Sequence, residues 1–393
     1  MKKIGIITLY HNNDNYGGIA QAYALNKYIQ NQGYDSELIS YKRSGVHIPN
    51  LKERIKKEGV VSVVRSKLEM LPDKLYFKFT TKYATKKYGA ELESKILLRK
   101  EAFLRSRELA NHSEVYTENT IQECVGKYDL YISGSDQIWK PGVLQPPYVF
   151  EFLPEKYKRI SYASSITVTE YPEEYGEYMK KYLSLYEWIS VREKSAKSYL
   201  EALLQRTVDV VVDPTMLLDE EEWGKITKER IIKERYLFAY LLGADPDQRR
   251  RITAYAKKHN LKIVTLPHVE GKLRSTDIGF GDYQMYDVDL SDFFSLIKYA
   301  DLVCTDSFHA VVFSNIFETD FLAFDRIILS KKANMNSRMD TLLGMLGQSN
   351  KFIRKKTPIT DNNLVPIDFV KAKEELRKNV ERSKTLLNSA LSD

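Results

Sequence analysis

The stretch Thr305-Asp306-Ser307-Phe308-His309 follows the apolar run Ala300–Cys304 and opens a helical pattern. A polar Asp-Ser-x-His set into apolar sequence could carry acid–base chemistry. A histidine at a helix N-terminus is expected to have a lowered pKa, because the positive end of the dipole disfavours imidazolium. It would then serve as a base near neutral pH. Lone histidines are more often structural, but the place of His309 in a loop beyond a strand favours catalysis. Ser307 lacks the other motifs of a nucleophile elbow, which argues against a serine hydrolase. His268, after Leu266-Pro267, is a secondary candidate.

Three further loops hold residues suited to binding. In Asn13-Asp14-Asn15-Tyr16-Gly17-Gly18, two glycines at a helix start let backbone N–H groups approach a ligand, although a tight turn explains them equally. Their spacing is not the dinucleotide fingerprint, and no phosphate-loop lysine follows. Ser133-Gly134-Ser135-Asp136-Gln137-Ile138-Trp139 combines small residues, a carboxylate, an amide and an indole, a mixture that suits sugar hydroxyls and a sugar's C–H face. The plainer alternative is a helix cap at Ser135 or Asp136 with Trp139 in the core. Arg192, in Val191-Arg192-Glu193, could fork onto a carboxylate or phosphate, or simply pair with Glu193.

These loops need strands to position them. Short apolar runs alternate with helical patterns: Ile4–Leu9, Ser36–Tyr41, Tyr128–Ser133, Arg159–Ala163, Trp188–Val191 and Val208–Val212, then Tyr236–Leu242, Leu261–Leu266, Ala300–Thr305 and a final Phe321–Phe324. The alternation predicts parallel βα units, with ligands beyond the C-terminal strand ends. An acidic linker, Asp219–Trp223, divides the two sets, and Asp368 is placed to cap a last helix running to about Leu391. The expected fold class is α/β: two Rossmann-like parallel-sheet domains facing a cleft. The expected domains are 1–218, with a basic helical insertion at 41–110, then 219–365, and a helix at 366–393 crossing back to the first domain.

Composition sets the frame. The 393 residues are 43% hydrophobic and 29% charged, an ordinary globular balance that excludes collagenous and mostly disordered chains. No apolar run is long enough to span a membrane. Met1-Lys2-Lys3 and the following run read as a first strand rather than a signal peptide. Two cysteines, Cys124 and Cys304, offer neither a disulfide framework nor metal spacing, so a cytoplasmic protein without a metal is expected. The net charge is +7, yet residues 41–110 hold 18 Lys and Arg against 8 Asp and Glu, a net +10. The remaining 42 basic and 45 acidic residues sum to −3. The insertion is either a solvated helical surface or a basic collar facing an anionic membrane or substrate. Nucleic acid is disfavoured, because no nucleic-acid-binding signature accompanies the charge.

Taken together, Asn15-Tyr16-Gly17-Gly18…Gln21-Ala22-Tyr23-Ala24-Leu25, Gly134-Ser135-Asp136-Gln137-Ile138-Trp139, Ile189-Ser190-Val191-Arg192-Glu193, Asp213-Pro214-Thr215, Thr305-Asp306-Ser307-Phe308-His309 and Ser337-Arg338-Met339 resemble the polysaccharide pyruvyl transferase family. The resemblance spans about residues 4 to 345 and is weakest at 41–110. It implies a GT-B-like fold. It also implies transfer of pyruvate from phosphoenolpyruvate to two hydroxyls of a sugar, giving a ketal and phosphate, with acceptors that are bacterial surface glycans or their lipid-linked precursors. By that resemblance His309 is the catalytic histidine, with Asp306 beside it. Arg192, Arg338, Ser307 and Lys332 would hold the donor, and Asn15, Tyr16, Gly17, Gly18, Gly134, Ser135, Asp136, Gln137 and Trp139 the acceptor. Phosphoenolpyruvate enters as co-substrate, and no cofactor is implied. Some members carry Arg-Leu-His where this chain has Ser307-Phe308-His309, which leaves Arg326, Lys331, Lys332 or Arg338 to compensate. If the acceptor is lipid-linked, the basic insertion would rest on the inner face of the membrane. Two other readings compete. One is a nucleotide-sugar glycosyltransferase, disfavoured by the lack of a spaced glutamate pair. The other is a non-catalytic glycan-binding or membrane-docking component of envelope assembly.

Overall fold

A computed structural model describes residues 1–43, 82, 86, 89–167, 173–269, 274–326, 336–355 and 357–392. Most of the basic helical insertion expected at 41–110 (residues 44–81, 83–85 and 87–88) and the residues Lys331 and Lys332 lie outside them. The described chain forms two all-parallel sheets. The first has seven strands: β1 (Lys3–Ile7), β2 (Asp35–Tyr41), β3 (His112–Tyr116), β4 (Leu130–Ser133), β5 (Lys158–Ser164), β6 (Trp188–Val191) and β7 (Asp209–Val210), in the order β3-β2-β1-β4-β5-β6-β7. The second has six: β8 (Tyr236–Tyr240), β9 (Lys262–Thr265), β10 (Tyr283–Gln284), β11 (Leu302–Thr305), β12 (Phe321–Phe324) and β13 (Phe352–Ile353), in the order β10-β9-β8-β11-β12-β13. Helices on both faces explain the unbroken apolar runs: every residue of β4, β8, β11 and β12 is buried.

The described helices are α1 (Tyr16–Asn31), α2 (Ala90–Arg107), α3 (Glu173–Leu183), α4 (Lys194–Leu204), α5 (Glu220–Gly224), α6 (Pro246–Lys258), α7 (Leu290–Lys298), α8 (Phe308–Ile316), α9 (Asn336–Met345), α10 (Asp361–Leu364) and α11 (Phe369–Ser392). None is long and apolar enough to cross a membrane.

Several elements depart from expectation. Tyr128–Ser133 supplies the fourth strand, because the edge strand β3, half polar and largely exposed, precedes it. Phe321–Phe324 is followed by the two-residue β13. The acidic stretch Asp219–Trp223 is no loose linker. Asp219 accepts from the Glu222 N–H at 2.9 Å and starts α5, which seats the fully buried Trp223 indole on the Thr215 carbonyl at 3.0 Å.

The two sheets share one hydrophobic core. Helix α1 is buried nearly all round, since it lies between the first sheet and helices α7 and α8 of the second domain. Tyr16 stacks on Phe293 (4.5 Å between ring centroids, planes 4° apart), and its hydroxyl donates to the Val288 carbonyl at 2.7 Å. Such a ring pair adds about 0.5–1.5 kcal/mol beyond area burial. Trp223 packs edge-on against Phe294 and Phe313. Helix α11 begins against the second domain, where Lys373 pairs with Glu318 at 2.6 Å. It ends on the first sheet: Arg382 pairs with Asp209 at 3.0 Å, and Ser383 Oγ accepts from the Val212 N–H at 3.1 Å.

This packing fixes where loops can converge. Strand order reverses between β1 and β4 in one sheet and between β8 and β11 in the other. At such switch points neighbouring loops diverge and leave a crevice beyond the C-terminal strand ends. The loop into α1, the loop after β4 and the loop into α8 all leave from those points.

Candidate functional site

His309 occupies the second position of α8, which Ser307 caps by accepting from the Ala310 N–H at 3.5 Å. Its ring crosses the boundary between the domains. A Cβ placed on Gly17 would lie 2.0 Å from His309 Nδ1, so the imidazole rests against the first turn of α1 where only hydrogen leaves room. On its other edge, Nε2 lies 3.5 Å from Asp213 Oδ2, in the loop after β7.

Asp213 is a hub. It is 1% exposed; Oδ1 accepts from the Thr215 N–H at 3.1 Å and from the Thr215 hydroxyl at 2.7 Å, while Oδ2 pairs with the Arg192 guanidinium. Burial alone would push this carboxyl up. The His309 ring, the Arg192 guanidinium and Thr215 overcome it and hold the carboxyl well below the usual carboxylate range. For Arg192, burial opposes the charged form, but the carboxylates of Asp213, Glu193 and Asp136 more than offset it and raise its pKa.

Arg192 is nevertheless incompletely paired. Its Nη2 is 3.8 Å from Asp136 and its Nε 3.9 Å from Glu193, and neither nitrogen has a hydrogen bond among the described residues. Both Arg192 and Arg338, which arrives from α9, stand over the Phe308 ring, 5.4 and 5.9 Å from its centroid. Arg338 Nε also lacks a hydrogen bond among the described residues. Burial, and then the neighbouring Arg192 charge, push the Arg338 pKa down to about 10. Lys140 is lowered by burial and by Arg338 as well. A buried guanidinium without a full set of partners is costly unless an anion completes it. The arrangement can therefore bind an anion over Phe308 and move a proton at His309.

The sequence-derived candidates divide. His309, Arg192, Arg338, Gly17 and Asp136 meet here. Asp136 also holds a left-handed backbone, φ 69°, uncommon for a non-glycine and suggestive of a functional turn. The Ser135 hydroxyl, next to it, is buried with no hydrogen bond among the described residues. Asn15 caps α1 by accepting from the Gly18 N–H at 3.1 Å. A Cβ on Gly18 would meet Asn13 Nδ2 at 2.1 Å, and one on Gly134 would sit 3.0 Å from Thr8 Cβ. Gln137 is half-buried and accepts from Lys140 at 3.4 Å.

Others have different occupations. Asp306 turns both carboxylate oxygens to backbone, accepting from the Leu242 and Gly243 N–H groups at 2.7 Å each, which ties the loop after β8 to the start of α8. Ser307 is a helix cap rather than a free donor group. Trp139 is fully buried with its indole N–H on the Tyr148 carbonyl at 3.1 Å, and Tyr16 is part of the shared core, so neither presents a face to a sugar. Lys332 lies outside the described residues. Among the described residues no group of three or more His, Cys, Asp or Glu converges as a metal site. Two contributors carried no assigned role in the sequence, Asp213 and Phe308. The signal for Asp213 was a carboxylate ending the apolar run Val208–Val212.

Comparison with solved structures finds the same architecture at low identity. A protein described as a UDP-N-acetylglucosamine 2-epimerase from Listeria monocytogenes aligns with TM-score 0.50 and 10% identity, over 100% of this chain and 96% of that one. The UDP-GlcNAc 2-epimerase from Neisseria meningitidis gives 0.48 and 12%, over 100% and 99%. A spinosyn rhamnosyltransferase gives 0.44 and 11%, with both chains covered fully. At such identity the likeness speaks to the fold alone, two parallel-sheet domains of the GT-B kind. Comparison with curated proteins finds no match. The family model for polysaccharide pyruvyl transferases matches residues 15–326, a span that runs from the cap of α1 through the Arg192–Asp213–His309 hub to Arg326, and the chain belongs to that family.

Proposed function

We propose that this protein transfers pyruvate from phosphoenolpyruvate to two hydroxyls of a sugar in a bacterial surface polysaccharide or its lipid-linked precursor, forming a ketal and releasing phosphate. The observation that carries this reading is the pair of guanidiniums over Phe308, Arg192 buried and Arg338 half-buried, each with a nitrogen that lacks a hydrogen bond among the described residues, with Arg192 sharing Asp213 with His309. A donor bearing both a carboxylate and a phosphate suits two guanidiniums, which bind such oxyanions as forks. Family membership supports the reading independently.

The protons balance through one acid–base group. Each of the two sugar hydroxyls loses a proton as its oxygen bonds to C2 of the donor. One proton ends on the methylene carbon, which becomes a methyl group; the other leaves with phosphate. His309 is suited to relay them, and fixed guanidiniums stabilise the charge building on the departing phosphate. The acceptor would lie along the rim formed by Asn15, Gly17, Gly18, Gly134, Ser135, Asp136 and Gln137.

The test is phosphate release from phosphoenolpyruvate with and without glycan acceptors. Release that requires both substrates and vanishes in His309→Ala supports the reading. Release without acceptor, or undiminished in the variant, refutes it. The basic segment 41–110 would add peripheral contact with an anionic membrane. Flotation with anionic liposomes that is lost on deleting 51–87 supports that contact, and flotation indifferent to lipid charge refutes it.

A further inference from the structure

We infer that Asp213 is a positioning residue that fixes which edge of the His309 ring carries the proton and keeps the Arg192 guanidinium and that ring in one rigid unit across the domain boundary. This rests on the reading of His309 as the group that relays protons. Three observations carry it. The carboxylate cannot turn, because Thr215 holds Oδ1 with both its N–H and its hydroxyl, at 3.1 and 2.7 Å. Its other oxygen pairs with Arg192 and lies 3.5 Å from His309 Nε2, within ion-pair distance, and Nε2 has no hydrogen bond among the described residues, so this carboxylate is the acceptor at hand for a proton there. Finally, the opposite ring edge, Nδ1, lies against Gly17 at the start of α1.

The consequence is a defined tautomer. In the neutral ring, a proton on Nε2 directed at Asp213 leaves the lone pair on Nδ1, the edge facing the loop Asn15–Gly18. A sugar hydroxyl that reaches Nδ1 alongside the Gly17 backbone, rather than through it, gives its proton to that nitrogen as its oxygen bonds to the donor carbon. The ring is then an imidazolium held by an ionised carboxylate, and it passes the proton to the methylene carbon or the departing phosphate. Asp213 stays ionised throughout, as expected for a carboxylate that orients and stabilises rather than accepts. The same carboxylate moderates Arg192, which has Glu193 and Asp136 as further carboxylate neighbours. Removing the Asp213 charge therefore weakens proton relay far more than donor binding.

The test uses the full-length protein labelled with ¹⁵N-histidine, with the His309 resonances identified by their loss in His309→Gln. In the wild type, Nε2 is expected to carry a proton; an unprotonated Nε2 overturns the inference without any Asp213 variant having to fold. In Asp213→Asn, the tautomer is expected to become mixed. Alongside, kcat should fall by up to about 10⁴-fold, the scale of the same change in a serine protease triad, with a much smaller change in KM for phosphoenolpyruvate. An unchanged kcat with a raised KM would make Asp213 a support for Arg192 alone and overturn the inference. If the wild type turns over no acceptor, the transferase reading fails, yet the resonance measurement still decides the role of Asp213.

Discussion

Replacing Gly17 by alanine would drive the His309 imidazole from its seat against α1. The new methyl group would sit 2.0 Å from His309 Nδ1, 2.4 Å from Cγ and 2.7 Å from Cε1. To reach the 3.4 Å of ordinary contact, the ring must move by about 1.4 Å. A misplacement of about 1 Å can cost about 10²-fold in rate, so kcat should drop at least that far, about 2.7 kcal/mol in barrier. Stability should fall as well, because overpacking a buried contact costs about 1–3 kcal/mol, only partly offset by helix propensity. Gly17 lies in the first turn of α1 with no left-handed backbone, and alanine favours a helix over glycine by up to about 1 kcal/mol. The assay pairs acceptor-dependent phosphate release with thermal unfolding of the same preparation. The expectation is turnover down about 100-fold or more with a modestly lowered Tm and a protein that is still folded at the assay temperature. A Gly17→Ala enzyme within a few-fold of wild-type kcat would refute the placement of His309 against α1 as the working geometry.

Three further perturbations follow from the site. Arg338→Met removes a guanidinium that burial disfavours, so the ligand-free protein should keep or gain Tm, while KM for phosphoenolpyruvate rises about 10–100-fold, the scale of a charged hydrogen bond worth about 1.5–3 kcal/mol; an unchanged KM would remove Arg338 from the donor site. Asp306→Asn leaves one of the two backbone amides it serves without an oxygen, which should lower stability by about 1–3 kcal/mol in a denaturant titration, and an unaltered midpoint would contradict its role as a loop tie. Asp213 has a folded pKa held below its unfolded value of about 3.9. Its stabilisation is thus present above about pH 4 and lost as pH falls below it. Tm measured down to about pH 2 should fall less steeply in Asp213→Asn than in the wild type, and parallel curves would contradict the shift.

The fold was legible wherever burial on both faces forced apolar runs. Strands β4, β8, β11 and β12 are continuous buried blocks such as Phe321–Phe324. Edge position hid the rest. Strand β3 reads His-Ser-Glu-Val-Tyr because one side faces solvent, and β10 and β13 are two residues each, too short for any pattern. In α5 the acidic first turn looked like a linker because its single anchor, Trp223, works through tertiary packing.

The site was legible to the extent that strand order was. His309, Arg192 and Asp136 follow strands β11, β6 and β4, and the crevice rule brings those ends together. Side-chain direction was not legible. Asp306 and Trp139 occupy loops at the crevice, yet one is claimed by backbone amides and the other by the core. Asp213 drew no role because two of its partners, Arg192 and His309, come from distant segments of the chain.

The central claim is most directly tested by incubating the protein with phosphoenolpyruvate labelled with ¹³C at C2 and a pool of bacterial surface glycans or their lipid-linked precursors. The label is expected in the glycan as a quaternary ketal carbon, with one phosphate released per ketal and neither formed in His309→Ala. Phosphate released while the label stays in free pyruvate, or label entering the glycan with the phosphate still attached, would contradict it.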